Sequence, residues 1–127
     1  VEDIASEMIH DLTLGIDGTD ARAGWIKVGT AYMHVTDGED MVIRAAVQAA
    51  QETGAPISTH TTNGTMGIEQ LEIAAAEGFD LTRMSIAHVD RNPDLWYHRK
   101  SLKQEHPSYM TVLGRQSTTL TASALNF

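Results

Sequence analysis

Gly24-Trp25-Ile26-Lys27-Val28-Gly29-Thr30 is a short apolar run interrupted by one lysine and closed by glycine, a pattern that predicts a buried strand. Thr36 and Asp37 then precede a periodic segment over 39–53, with Met41, Val42, Ala45, Ala46 and Ala49 on one face and Gly54 as its stop, which predicts a helix. The same order returns twice. Pro56-Ile57-Ser58-Thr59-His60-Thr61 predicts a second strand, Thr62-Asn63-Gly64-Thr65 a turn, and 66–77 a helix ended by Gly78. Met84-Ser85-Ile86-Ala87-His88-Val89-Asp90 predicts a third strand, and Asn92-Pro93 opens a further helix carrying Leu95, Trp96, His98, Arg99 and Leu102. Upstream, Ile4, Met8, Ile9, Leu12 and Ile16 recur at helical spacing, so 2 to about 15 reads as an amphipathic helix stopped by Gly15 and Asp17-Gly18.

Strands alternating with helices imply parallel pairing through right-handed crossovers, so the fold class is α/β. A doubly wound sheet and a (β/α)8 barrel both fit that alternation. The doubly wound nucleotide fold carries a glycine fingerprint after its first strand, and neither G-x-G-x-x-G nor G-x-x-x-x-G-K-[ST] occurs here, which favours the barrel. A full barrel needs about 250 residues. With 127 residues the expectation is a fragment, about half of a (β/α)8 TIM barrel at most. The opening at Val1, inside a helical pattern, gives the same expectation of a piece of something longer.

Composition narrows the function classes. Hydrophobic residues make up 42% and charged residues 20%, which fits a globular chain with a core and argues against disorder. Seventeen acidic against nine basic residues give a net charge of −8 with no basic stripe, so neither nucleic acid nor an anionic membrane is an expected partner. No apolar run is long enough to cross a bilayer and no signal peptide pattern opens the chain, so the expected location is cytoplasmic. The absence of cysteine removes disulfides, thiolate zinc sites and a cysteine nucleophile, leaving nitrogen and oxygen as metal donors.

The character of the chain changes at residue 101: residues 1–100 carry a net charge of −9, and 101–127 carry +1. Seven of the last twenty residues are Ser or Thr, without periodicity. The expected organisation is therefore a barrel portion over 1–100 and an aberrant tail over 101–127. Starting each codon at the third base of the old one turns Tyr109-Met110-Thr111 into Tyr-Asp, and with permitted synonymous choices Val112 onward continues as Gly-Pro-Gly, then Gln or Lys, then Ala-Lys-Tyr-Tyr-Pro-Asp-Ser. The tail after about His106 thus has the form of an out-of-frame reading, and the gene sequence tests this directly.

Lys27, His60 and His88 are each expected near the carboxyl end of a strand, 33 and 28 residues apart, about one βα unit each time. In α/β barrels that is the face where active sites are built, and two imidazoles with a lysine there could hold a metal. An ammonium flanked by Trp25, Ile26 and Val28 is costly to bury. It would be met by a salt bridge, by use as a Schiff-base lysine, or by a neutral amine that takes up carbon dioxide to become a carbamate able to bridge two metals. Lesser candidates are Asn63-Gly64-Thr65-Met66-Gly67, which could cradle an anion but is better explained by capping, and His34 beside Tyr32 and Met33, expected exposed. His10, His98 and His106 are expected at the surface, and Leu95 and Trp96 as core contacts with the barrel wall.

In order and spacing, the run from Gly18-Thr19 through Ala23 to Thr30, then 56–61, then 84–90 resembles the phosphotriesterase family of the amidohydrolase superfamily, over about residues 1–100. The resemblance implies a hydrolase of ester, lactone or phosphotriester bonds working through a hydroxide held between two divalent metals, usually zinc. It implies that Lys27 is the carbamylated, catalytic bridge and that His60 and His88 are ligands of one metal. The family's His-x-His pair and last aspartate ligand are not found in this sequence, so the chain alone is expected to be inactive, with a non-catalytic remnant and a lysine Schiff-base enzyme as the alternatives. Asp90-Arg91-Asn92-Pro93-Asp94 departs from the Asp-rich run of the best-known phosphotriester-cleaving members, which weighs against that specificity. The expected partner is a small ester, lactone or organophosphate, and a homodimer of the intact protein is left open.

Overall fold

The computed structural model describes residues 1–103. Along the chain come α1 (Glu2–Thr13), β1 (Ile26–Thr30), α2 (Asp37–Thr53), β2 (Ile57–Thr61), α3 (Gly67–Ala76), β3 (Met84–Ala87) and α4 (Leu95–Lys103), with short 3-10 turns at Thr62–Gly64, Leu81–Arg83 and Val89–Arg91. The out-of-frame reading, His106 and nearly all of the 101–127 tail lie outside the described residues.

The strands are parallel and stand in sequence order β1-β2-β3. Connections of one hand between neighbours taken in order lay every crossover helix on the same side of the sheet, which is how a barrel wall is built; a doubly wound sheet reverses direction and covers both sides. Burial agrees. Ile26 and Val28 of β1, Ile57 of β2, and Met84 and Ile86 of β3 are buried with Ala46, Val47 and Ala50 of α2 and Leu71 and Ala74 of α3 in one cluster. The alternate residues, Lys27, Gly29, Ser58, His60, Ser85 and Ala87, point to the opposite face and are less buried throughout. These are the βα units of a (β/α)8 wall, with the second face being the one a closed barrel turns inward.

Local chemistry explains the boundaries. Helix α2 starts on a capping box: Thr36 Oγ1 accepts from Glu39 N–H at 3.2 Å, and the Glu39 carboxylate accepts from Thr36 N–H at 2.8 Å. It ends at Gly54, whose φ of 79° suits a residue without a Cβ. Helix α3 is capped from a distance, because the Tyr97 hydroxyl accepts from Gly67 N–H at 2.8 Å and Ile68 N–H at 3.2 Å. At the amino end of the sheet, Arg83 donates to the carbonyls of Ala50 and Ala55, both at 3.0 Å, and lies over the Phe79 ring.

Two sequence expectations are corrected. Leu95 and Trp96 are 68% and 67% exposed. The residue of that helix that packs on the core is the next one, Tyr97. Its ring supplies apolar area while its hydroxyl serves the α3 N-terminus. The β1 strand begins at Ile26 because Gly24 and Trp25 form a bend, and β3 closes at Ala87 because His88 turns left-handed. Among the described residues no helix is long and apolar enough to cross a membrane.

Candidate metal centre

The loops that leave the carboxyl ends of the three strands are strained in a consistent way. Among the described non-glycine residues, Asp17, Met33, Asn63, Met66 and His88 have positive φ, and all but Asp17 lie in these loops. The loops also interlock: a Cβ on Gly64 would stand 2.7 Å from Asn92 N and 2.9 Å from Val89 O, and Asn92 Nδ2 donates to Gly64 O at 3.3 Å, so the β2 and β3 loops are in close contact. Met33 N–H donates to Thr65 Oγ1 at 3.0 Å, tying the β1 loop to the β2 loop.

His60 and His88 meet here. Their ring centroids are 4.9 Å apart, edge to face with an interplanar angle of 72°. His60 is the fourth residue of β2, and His88 follows the last residue of β3 with φ 69°, which breaks the strand alternation and swings its ring toward the His60 side. Gly29 is the register partner of His60, and a Cβ there would lie 3.0 Å from His60 Cβ. The missing side chain is what lets the imidazole root sit against β1.

Lys27 is placed differently from expectation. It is the second residue of β1, not one near its carboxyl end, and it aligns with Ser58 and Ser85 while His60 aligns with Gly29 and Ala87. The expected equal phase is therefore replaced by a stagger that grows along β1, β2 and β3. Barrel strands tilt by roughly 36° to the axis, so side chains at one height around the barrel are offset by about one residue per strand. Lys27 still points to the same face as His60, with Cα atoms on the order of 8 Å apart from strand spacing and rise.

Burial loosens the hold on the proton at two of the three groups. Desolvation holds the Lys27 amine below the usual lysine range. His60 is lowered as well, first by desolvation and then by the positive charges of His88, Lys27 and Arg91 around it. An imidazole and an amine that both hold their protons less tightly than usual suit a site where a cation competes with protons. Among the described residues no three His, Asp or Glu side chains converge on a point that could hold a metal.

The other sequence candidates fall away from this centre. The α3 N-terminus is not an anion cradle, because the Tyr97 hydroxyl already accepts from its first amides. His34 and His10 are exposed as expected, whereas His98 is partly buried, with Nε2 and the Asn92 carbonyl 2.7 Å apart. Missed at the sequence level was Gln70, fully buried on α3 and bonded to both β1 and β2. A glutamine in the middle of an otherwise apolar helix face was the available signal.

In-order parallel βα units, with two imidazoles meeting at the carboxyl side of the sheet, place the chain among the α/β-barrel proteins. More particularly, the chain belongs to the phosphotriesterase family, whose model matches residues 1–116. It is 44% identical over 96 residues to the phosphotriesterase homology protein of Escherichia coli K12, covering 75% of this chain and 33% of that protein. A crystal structure of the E. coli protein with phosphate in its active site superposes with a TM-score of 0.77, at 40% identity, over 82% of this chain and 36% of that one. The lactonase of Listeria monocytogenes gives a TM-score of 0.75 at 40% identity over 80% and 31% of the two chains. An aryldialkylphosphatase of Saccharolobus solfataricus is 36% identical over 101 residues, 79% of this chain and 32% of that protein. The chain thus spans about a third of the length of the curated relatives it matches.

Proposed function

We propose that this chain contributes Lys27, His60 and His88 to a two-metal hydrolase centre, with Lys27 as a carbamate bridging the ions and His60 and His88 ligating one of them. The observation that carries the reading is the His60–His88 pair at 4.9 Å, on the face that Lys27 also addresses. Zinc is the ion best suited to imidazole nitrogen and carboxylate-like oxygen donors in a chain without thiolates. Metal ions held by these residues would supply Lewis acidity toward a carbonyl or phosphoryl oxygen and would lower the pKa of water.

The chain's own residues prepare that chemistry. Desolvation lowers the proton affinity of Lys27, so its amine can attack carbon dioxide, forming an N–C bond and releasing one proton to solvent. Desolvation, the first cause, lowers the hold of His60 on the proton that would compete with a cation. The substrate class is a small ester, lactone or phosphotriester, supported by relatives that carry the names lactonase and aryldialkylphosphatase. Catalytic turnover belongs to a protein that also provides the ligands this sequence does not contain.

Metal analysis of the 127-residue chain purified with zinc and 13C-bicarbonate tests the reading. Bound zinc lost in His60→Ala and in His88→Ala, with a carbamate carbon signal lost in Lys27→Ala, is the expected result. Zinc retained in both histidine variants, or no carbamate signal at saturating zinc, overturns it. Borohydride trapping of a carbonyl compound on Lys27 would instead assign a Schiff-base role.

A further inference from the structure

We infer that Gln70 is the positioning residue of this centre: its carboxamide fixes the His60 backbone between β1 and α3 and so holds the imidazole against His88. The inference rests on the metal-site reading above. Gln70 is fully buried, and its three hydrogen bonds reach both flanking strands. Nε2 donates to the His60 carbonyl at 3.0 Å and to Thr30 Oγ1 at 2.6 Å, while Oε1 accepts from Thr59 Oγ1 at 2.5 Å.

The orientation of the amide is chemically forced. A carbonyl oxygen can only accept, so the group that faces His60 O must be the amide nitrogen. That leaves Oε1 for the Thr59 hydroxyl, the residue immediately before His60. The chain is therefore gripped on both sides of the His60 peptide by one rigid planar group, in a setting shielded from water where such bonds are strong and an unpaired partner is costly. His60 cannot slide along β2 or tilt away from β1 without stranding a buried polar atom. Gly29 closes the other side, 3.0 Å from where its own Cβ would meet His60 Cβ.

A helix needing only to pack on this sheet would place an aliphatic residue here, as it does with Ile68, Leu71 and Ala74. Outer residues that orient a ligating histidine typically change metal affinity about 10–100-fold when removed. Gln70 acts through the main chain of the ligand instead of through its ring nitrogen, which leaves both imidazole nitrogens of His60 available.

The test uses the 127-residue chain and three variants. Gln70→Met keeps the volume and loses every bond; Gln70→Leu loses every bond with a branched side chain like that of Leu71. Arg83→Met removes two part-buried bonds at the opposite end of the sheet and controls for lost stability. The readouts are the NOE between the His60 and His88 rings without metal, zinc affinity, and melting temperature. Both Gln70 variants are expected to lose the ring NOE and to bind zinc at least about tenfold more weakly. Arg83→Met is expected to melt lower with the NOE and affinity intact. Wild-type NOE and affinity in either Gln70 variant, or equal losses in Arg83→Met, overturn the inference. If the wild-type chain binds no zinc, the metal reading fails, and the metal-free NOE comparison still decides the role of Gln70.

Discussion

Gly29→Ala is the substitution that most directly loads the geometry on which the centre depends. The new Cβ would stand 3.0 Å from His60 Cβ, 3.3 Å from His60 O and 3.6 Å from His60 N. Comfortable carbon contacts lie at about 3.5–4.0 Å, so the two strands must part by roughly 0.5 Å or His60 must move. It has little freedom, because its carbonyl is held by Gln70 Nε2 at 3.0 Å. Overpacking of this kind costs about 1–3 kcal/mol. For a small domain that corresponds to about 4–8 °C of melting temperature per kcal/mol. Thermal unfolding by circular dichroism measures the cost, and the His60–His88 ring NOE measures where the displacement goes. A lower melting point with a weakened NOE is expected. A variant that melts within about 1 °C of wild type and keeps the NOE refutes the claim that glycine is required across from His60.

Other positions separate stability from function. Gly38→Ala in the first turn of α2 meets only Thr36 Oγ1, at 3.9 Å, and should raise stability by about 0.4–1 kcal/mol in chemical denaturation, chiefly by restricting the unfolded chain. Thr36→Ala removes the hydroxyl of the capping box and should cost about 0.5–2 kcal/mol in the same assay. Glu39 is held below its usual 4.5, first by the Thr36 backbone N–H, so its contribution is present above that value and is lost as pH falls through the lower folded pKa. The acid limb of a pH–stability curve should accordingly be shallower in Glu39→Gln than in wild type. His88→Gly should relieve a φ of 69° and melt higher than His88→Ala by about 1 kcal/mol, while both variants lose zinc; equal melting of the two would remove the strain argument.

The fold was legible because its signals are local and repeated. Capping at Thr36, the glycine stops at Gly54 and Gly78, and apolar runs at one-unit intervals leave few alternatives to a parallel βα array. Two of the residues that the sequence singled out, His60 and His88, are brought together by the fold. What the sequence concealed was phase. Lys27 looks equivalent to His60 because each interrupts an apolar run, yet they stand two residues apart in register, and only three-dimensional pairing shows it. The fourth helix misled for a related reason: Leu95, Trp96 and Tyr97 are all large, and the one that packs is the one whose hydroxyl also finds the α3 amides. Gln70 was overlooked because periodicity ranks a buried amide as a flaw in an apolar face, although here its partners lie on two strands 40 and 10 residues away in sequence.

The distribution of strain connects these points. Non-glycine residues in the left-handed region cost of order 1 kcal/mol or more apiece, and here four of them crowd the carboxyl side of a three-stranded sheet. Threonine hydroxyls hold the bends in place: Thr65 to Thr62 O at 2.8 Å, Thr62 to Thr30 O at 3.0 Å, and Thr61 to Ala87 O at 2.7 Å. Each of these bonds either ties two neighbouring strand ends together or closes the bend that follows β2. A scaffold selected for stability alone would relax such bends to glycine. Retaining Met33, Asn63, Met66 and His88 in them costs stability at the one edge where His60 and His88 meet, and the opposite edge, clamped by Arg83 on two carbonyls, carries no comparable load among the described residues.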